Sequence, residues 1–270
     1  MLRIFAFVLS AFLTLTFAPV KAQEDKQPVS RCQAIARALP NAVLARYTPV
    51  AVTEEVVRFR YLGHSTFLIE TPGGVSIATD YNGVYRPPQP PTVATMNKAH
   101  STHYTLMPDP GIRHVLKGWS DMPGEKADHD LVVGDAYIRN VTTDIRSWGS
   151  GAMEHDANSI FIFETADLCI GHLGHLHHEL TDSHYAEIGR LDILMVPVDG
   201  GLTMGADSMS RVVKRLNSSL ILPMHRPGQL QRFLALFDGR YDIMRWPAEV
   251  LTVSARNLPK RPSIYVPGNF

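Results

Sequence analysis

The chain is poor in cysteine, with two among 270 residues, Cys32 and Cys169. Two thiols do not make a disulfide scaffold, so the fold must rest on an apolar core. Cys169 lies in an apolar strand pattern, where a buried free thiol is the expectation; pairing with Cys32 stays open in an oxidising compartment. Excess charge is also lacking. Basic and acidic residues both number 26, and without a basic footprint no nucleic-acid partner is expected. No apolar run is long enough for a comfortable membrane span, which takes about 20 residues. Internal repeats and low-complexity linkers are missing too. With 45% hydrophobic and 19% charged residues, the chain can bury a substantial core in one large domain or two small ones.

The apolar run that does occur stands at the start. Arg3 gives a positive beginning, Ile4 to Phe17 is interrupted only by Ser10, Thr14 and Thr16, and Val20-Lys21-Ala22 offers a small-residue cleavage site. This pattern reads as a signal peptide over residues 1–22. It predicts a mature protein beginning at Gln23, periplasmic or secreted, with no stable membrane insertion after cleavage. Residues 23–55 form an N-terminal extension with helical character from Arg31 to Arg46, and residues 56–270 form the main domain.

Short strands are expected from Val56 onward: Val56–Tyr61, Thr66–Glu70 and Val75–Thr79 around the turn Pro72-Gly73-Gly74, then Thr92–Met96. Leu131–Val133, Tyr137–Val141, Ser159–Glu164 and Leu168–Gly171 continue the β-rich half. Helices and strands then alternate. Helices are expected from Thr181 or Asp182 to Arg190, over Asp207–Leu216 and over Gln229–Phe237. Strands are expected at Asp192–Val198, Ser219–Met224, Tyr241–Arg245 and Val250–Val253. The order predicts an α/β domain of two packed sheets with helices outside.

Histidine is what the chain has in quantity, with twelve residues. His100 and His103 follow one expected strand, His172, His175, His177 and His178 a second, and His225 a third. Ligands at strand ends converge on one rim of an open sheet. Neutral imidazole suits zinc, iron and other first-row metals, and a catalytic metal needs about three protein ligands with one position left for water.

Tyr61-Leu-Gly-His64-Ser-Thr-Phe-Leu-Ile-Glu70, a hairpin and then Asp80 resemble the opening of the metallo-β-lactamase-fold hydrolases. Ile170-Gly-His172-Leu-Gly-His175-Leu-His177-His178, Asp192-Ile-Leu-Met-Val-Pro-Val-Asp199-Gly-Gly and Leu222-Pro-Met-His225 match further blocks in order. The nearest resemblance is to the branch containing the ascorbate-phosphate lactonase. It implies a four-layer αββα sandwich with a metal site at one edge.

Departures from that family pattern lie inside the metal motif. His-x-His-x-Asp-His falls on Lys98-Ala99-His100-Ser101-Thr102-His103, so a lysine replaces the first histidine and a threonine the aspartate. The bridging aspartate falls on His175, and near the middle histidine Asp144 is the available ligand. The resemblance thus implies His100, His103, His175 and His225 as ligands, with Asp144 possible, and one ion of zinc or another divalent transition metal. Lys98 would either stabilise developing negative charge or occupy a lost metal position with its own cation. Asp144, with Arg146 and Trp148, would wall a substrate pocket or merely close a strand.

His64 is expected to support the ligands rather than bind, His172 to support them or, next after His175, to bind metal itself, and His177 and His178 to line the loop or form a supporting pair. His114, His129, His155 and His184 read as surface or loop residues, Asp199 as a turn former or, less simply, a supporting carboxylate, and Asn158 as a cap of loop backbone. The implied activity is hydrolysis of a small ester, lactone or phosphoester by a metal-bound hydroxide. The rival is a catalytically degenerate member that binds metal or a ligand without turnover.

Overall fold

The computed structural model describes residues 30–33, 55–147, 150–246 and 249–270. The expected signal peptide lies outside the described residues. So does most of the expected helix from Arg31 to Arg46; its first residues, 31–33, form a turn.

Two sheets carry the domain. The first contains β1 (Val57–Gly63), β2 (Thr66–Glu70), β3 (Ser76–Ala78), β4 (Val93–Met96), β5 (His114–Lys117) and β13 (Leu251–Val253). Their spatial order is β13-β1-β2-β3-β4-β5. The second contains β6 (Asp130–Val133), β7 (Ala136–Arg146), β8 (Met153–Thr165), β9 (Leu168–His172), β10 (Ile193–Pro197), β11 (Leu220–Met224), β12 (Asp242–Trp246) and β14 (Ser263–Pro267). These lie in the order β12-β14-β11-β10-β9-β8-β7-β6. Strand alternation explains how the sheets meet. Phe59, Phe67, Ile69 and Ile77 of the first pack with Ile138, Phe161, Phe163, Ile170 and Met195 of the second. Each such fully buried side chain contributes about 1.5–3 kcal/mol relative to exposure.

The outer face of the second sheet is covered by α1 (Asp182–Ile188), α2 (Ala206–Leu216) and α3 (Leu230–Ala235). Ile188, Met209, Val212, Val213, Leu230 and Phe233 bury against Ile162, Leu194, Val196 and Ile221 there. Thr181 caps α1 by accepting from the backbone of His184, as Ser and Thr do at helix starts. Among the described residues the outer face of the first sheet carries no helix. Ala78, Ala94 and Met96 are covered there by Tyr81, Ile112, Tyr104 and Trp119 from loops. The expected sandwich is therefore present, with its described helices on one side.

Three local readings differ. Strands β5 and β14 were not expected. Strands β7 and β8 form a longer hairpin than the apolar runs indicate, because polar residues from Thr142 to Arg146 pair across to Met153–Ser159 through a bulge near Asp144. Cross-strand pairing, not burial, extends them. Cys169 is not a free thiol. It forms a disulfide with Cys32, reached because Glu164 accepts from the Ser30 hydroxyl at 2.5 Å and the Arg31 backbone at 2.9 Å, drawing the N-terminal segment onto β8 and β9.

Candidate metal centre

Strand direction puts the histidines together. Strands β3, β4 and β5 are mutually parallel, as are β9, β10 and β11, so the loops leaving their C-terminal ends gather at one rim. Asp80 follows β3, Asn97 to His103 follow β4, His175 follows β9, Asp199 follows β10 and His225 follows β11. The β1–β2 turn adds His64. Asn97 ties the two halves beneath the rim, donating to Asp80 Oδ1 at 2.8 Å and accepting from the Ser159 backbone of β8 at 2.7 Å. Gly174 is required in the turn that carries His175. Its φ is +60°, and a Cβ there would lie 2.4 Å from both Asn97 Nδ2 and Asn158 Oδ1.

One potential ligand atom from each of His64, His100, His103 and His225 lies within 4.8 Å of all the others. His103 Nδ1 faces Asp80 Oδ2 at 2.6 Å, which places its proton on Nδ1 and leaves Nε2 bare. His225 Nδ1 lies 3.1 Å from Asp199 Oδ1, an ion-pair distance though not a well-angled hydrogen bond, and the carboxylate favours the same tautomer. The two Nε2 atoms are 3.1 Å apart, with His64 Nε2 3.2 Å from that of His103. Two neutral imidazoles so oriented aim lone pairs at each other, an arrangement that a cation relieves.

Burial first, then the neighbouring imidazoles, lower His64 to about 3 and His100 to about 4. The same causes hold His103 and His175 well below the ordinary histidine range. All are therefore the neutral donors that transition metals take.

Residues 58–225 match the family described as the beta-lactamase superfamily domain. The chain belongs to this superfamily. A proposed Zn-dependent hydrolase of the metallo-beta-lactamase superfamily from Thermotoga maritima is similar at 28% identity, with a TM-score of 0.56 over 78% of this chain and 98% of that one. Igni18, a metallo hydrolase from Ignicoccus hospitalis, shares the fold at 18% identity and TM-score 0.51, covering 74% and 99%. A proposed metal-dependent hydrolase from Parabacteroides distasonis does so at 12% identity and TM-score 0.53, covering 68% and 90%. No curated protein sequence matches the chain.

In this superfamily member the expected ligands His100, His103 and His225 do come together. His64, expected beside the ligands, stands among them. His175 borders the group, its ring centroid 4.7 Å from His103 and 5.0 Å from both His100 and His225. Its Nδ1 meets His177 Nε2 at 2.7 Å, and its Nε2 is buried without a hydrogen-bond partner. His172 serves the backbone, with Nε2 2.9 Å from the Ser65 carbonyl and Nδ1 accepting from Gly174. His178 accepts from the Asp144 backbone at 3.1 Å and supports that strand rather than the imidazoles.

Two expectations need correction. Asp144 is not grouped with the ligands: its carboxylate accepts from the Asp156 backbone at 3.2 Å and faces His155 at 3.0 Å, because the β7 bulge turns it towards β8. Lys98 pairs with Glu154 on a half-exposed surface, so its cation does not fill a vacant ligand position. Thr102, where the family has aspartate, places its hydroxyl 2.8 Å from His64 Nε2 and 2.7 Å from His100 Nδ1. Having one proton, it donates to one ring and accepts from the other.

The supporting carboxylates are Asp80 and Asp199. Burial raises Asp80 to about 6, against the pull of His172 and Asn97. Burial would raise Asp199 too, but His225, Thr203 and the Gly201 backbone outweigh it and hold its carboxyl far below the usual range. The role of Asp80 was missed, although its place after the hairpin belongs to the opening motif and was the available signal.

Beside the histidines lies a cavity of about 350 Å³ lined by Ala99, His100, Arg146, His175, His177 and Leu202, among others, a size that suits a small ligand. Another of about 380 Å³ surrounds Cys32, Glu164 and Cys169; it contains no histidine.

Proposed function

We propose that this chain is an exported hydrolase of a small ester, lactone or phosphoester, holding one zinc or other divalent transition metal ion. The single observation that carries the reading is the meeting of bare, buried imidazole nitrogens from His103 and His225 at 3.1 Å, with His64 and His100 alongside. These four would hold the ion, with His175 adjoining, while Asp80 and Asp199 fix the rings of His103 and His225. When bound, the ion would supply Lewis acidity towards a carbonyl or phosphoryl oxygen and towards water. The adjoining cavity orients the substrate against the rim. One ion is favoured because the grouped donors are all imidazole, with Thr102 where a carboxylate ligand would be expected. Export is supported by the N-terminal sequence pattern and by the Cys32–Cys169 disulfide, which belongs in an oxidising compartment.

A second reading, metal binding without turnover, is favoured by the substitutions at Lys98 and Thr102. Elemental analysis of protein purified without added metal, combined with hydrolysis of esters, lactones, phosphoesters and β-lactams, separates the two. Stoichiometric metal with turnover that is lost on chelation supports the hydrolase. Stoichiometric metal with no turnover on any of them supports the second reading, and no metal under any loading condition overturns both.

A further inference from the structure

Charge around the cavity is unevenly satisfied. Each carboxylate near the rim has a partner: Glu154 pairs with Lys98, Asp144 faces His155, Asp80 meets His103, and Asp199 takes Thr203 and the backbone of Gly201 and Leu202. Arg146 is different. It ends β7 and lines the cavity with His100, His175 and His177. Its backbone is anchored by donating to His177 Nδ1, and among the described residues its guanidinium has no carboxylate partner. The exposed Arg226, next to His225, is likewise without a carboxylate partner among the described residues. Asp80 and Asp199 keep their charge behind the imidazoles, and on the cavity wall itself Arg146 is a cation with no carboxylate partner among the described residues.

We infer that Arg146 is the specificity residue of this cavity and binds a carboxylate or phosphate group carried by the substrate. The planar fork of a guanidinium matches either group in a two-pronged hydrogen bond. Arg226 adds attraction at longer range on the side of His225. That the bound anion belongs to a substrate rests on the hydrolase reading; the anion site itself does not.

The test uses full-length protein with its metal content measured in every sample, comparing wild type, Arg146→Gln and Arg146→Lys. Binding of inorganic phosphate is followed by calorimetry, and hydrolysis is compared for 4-acetoxybenzoate against phenyl acetate. Arg146→Gln is expected to weaken phosphate binding at least about tenfold at unchanged metal content, as for loss of a charged hydrogen-bonding partner. Arg146→Lys should recover part of that affinity. The wild-type preference for the carboxylate-bearing ester, expressed as a ratio of kcat/KM values, should fall by a similar factor in Arg146→Gln. Equal phosphate affinity in wild type and Arg146→Gln overturns the anion site, whatever the hydrolysis shows. Arg146-dependent phosphate binding with no turnover of either ester leaves the anion site standing and counts against the hydrolase.

Discussion

The backbone N–H of His225 donates to the carbonyl of His64 at 2.6 Å, and both residues carry positive φ, 82° and 53°. Non-glycine residues in this region are uncommon and concentrate where surrounding structure enforces them for function. Here the bond joins the β1–β2 turn of one sheet to the end of β11 in the other. The Tyr61 hydroxyl donates to the same carbonyl at 2.8 Å. Two imidazoles more than 150 positions apart are thus fixed relative to one another by main chain, before any ion binds.

That coupling places His64 within the imidazole group that could hold an ion. His64→Ala is expected to lower metal occupancy, as His103→Ala and His225→Ala should, and all three should lose hydrolysis with the metal. His178→Ala, whose ring meets the Asp144 backbone, the Glu179 carbonyl and the His184 ring rather than the grouped imidazoles, is expected to keep the metal. Elemental analysis after dialysis checks the set. Full occupancy in His64→Ala would return that residue to a supporting role.

Asp80 and Asp199 orient rings without joining them. Asp80→Asn keeps the shape but removes the charge that holds the proton on His103 Nδ1. Metal affinity is expected to fall by roughly 10–100-fold, the usual effect of losing such a partner. Competition against a chelator of known affinity measures this directly, and circular dichroism confirms that the fold survives.

Lys98 and Glu154 form a surface pair, with 44% and 40% of their side-chain areas exposed. Pairs of this kind contribute between about 0 and 1 kcal/mol. Lys98→Ala is therefore expected to leave metal content unchanged and to shift the thermal midpoint little. A loss of hydrolysis by roughly 10²–10³ at full metal occupancy would instead give Lys98 a role in stabilising transition-state charge.

The disulfide closes a separation of 137 residues between Cys32 and Cys169. Thiol labelling under denaturing conditions should find no free cysteine in protein from an oxidising compartment. The double variant Cys32→Ser, Cys169→Ser is expected to lose about 2–4 kcal/mol of stability in denaturant unfolding. Metal content should be retained, because Cys169 and His172 lie towards opposite ends of β9.

What the sequence determined by itself was the periodic content of the fold and the residues able to form a centre. Alternation marked β1, short apolar runs marked β2, β4 and β9 to β11, and the strand-end histidines marked His100, His103 and His225. These are local signals, carried by patterns of a few residues and by motif spacing. Tertiary structure decided what local pattern cannot encode. Whether His64 supports or joins the ligands depends on its main-chain bond to His225. Whether Asp144 faces the grouped imidazoles or β8 depends on a bulge set by cross-strand register. Whether Cys169 is free depends on Glu164 gathering Ser30 and Arg31 from the other end of the chain. Each turns on the position of a side chain relative to a distant strand, and that position exists only once the two sheets have packed.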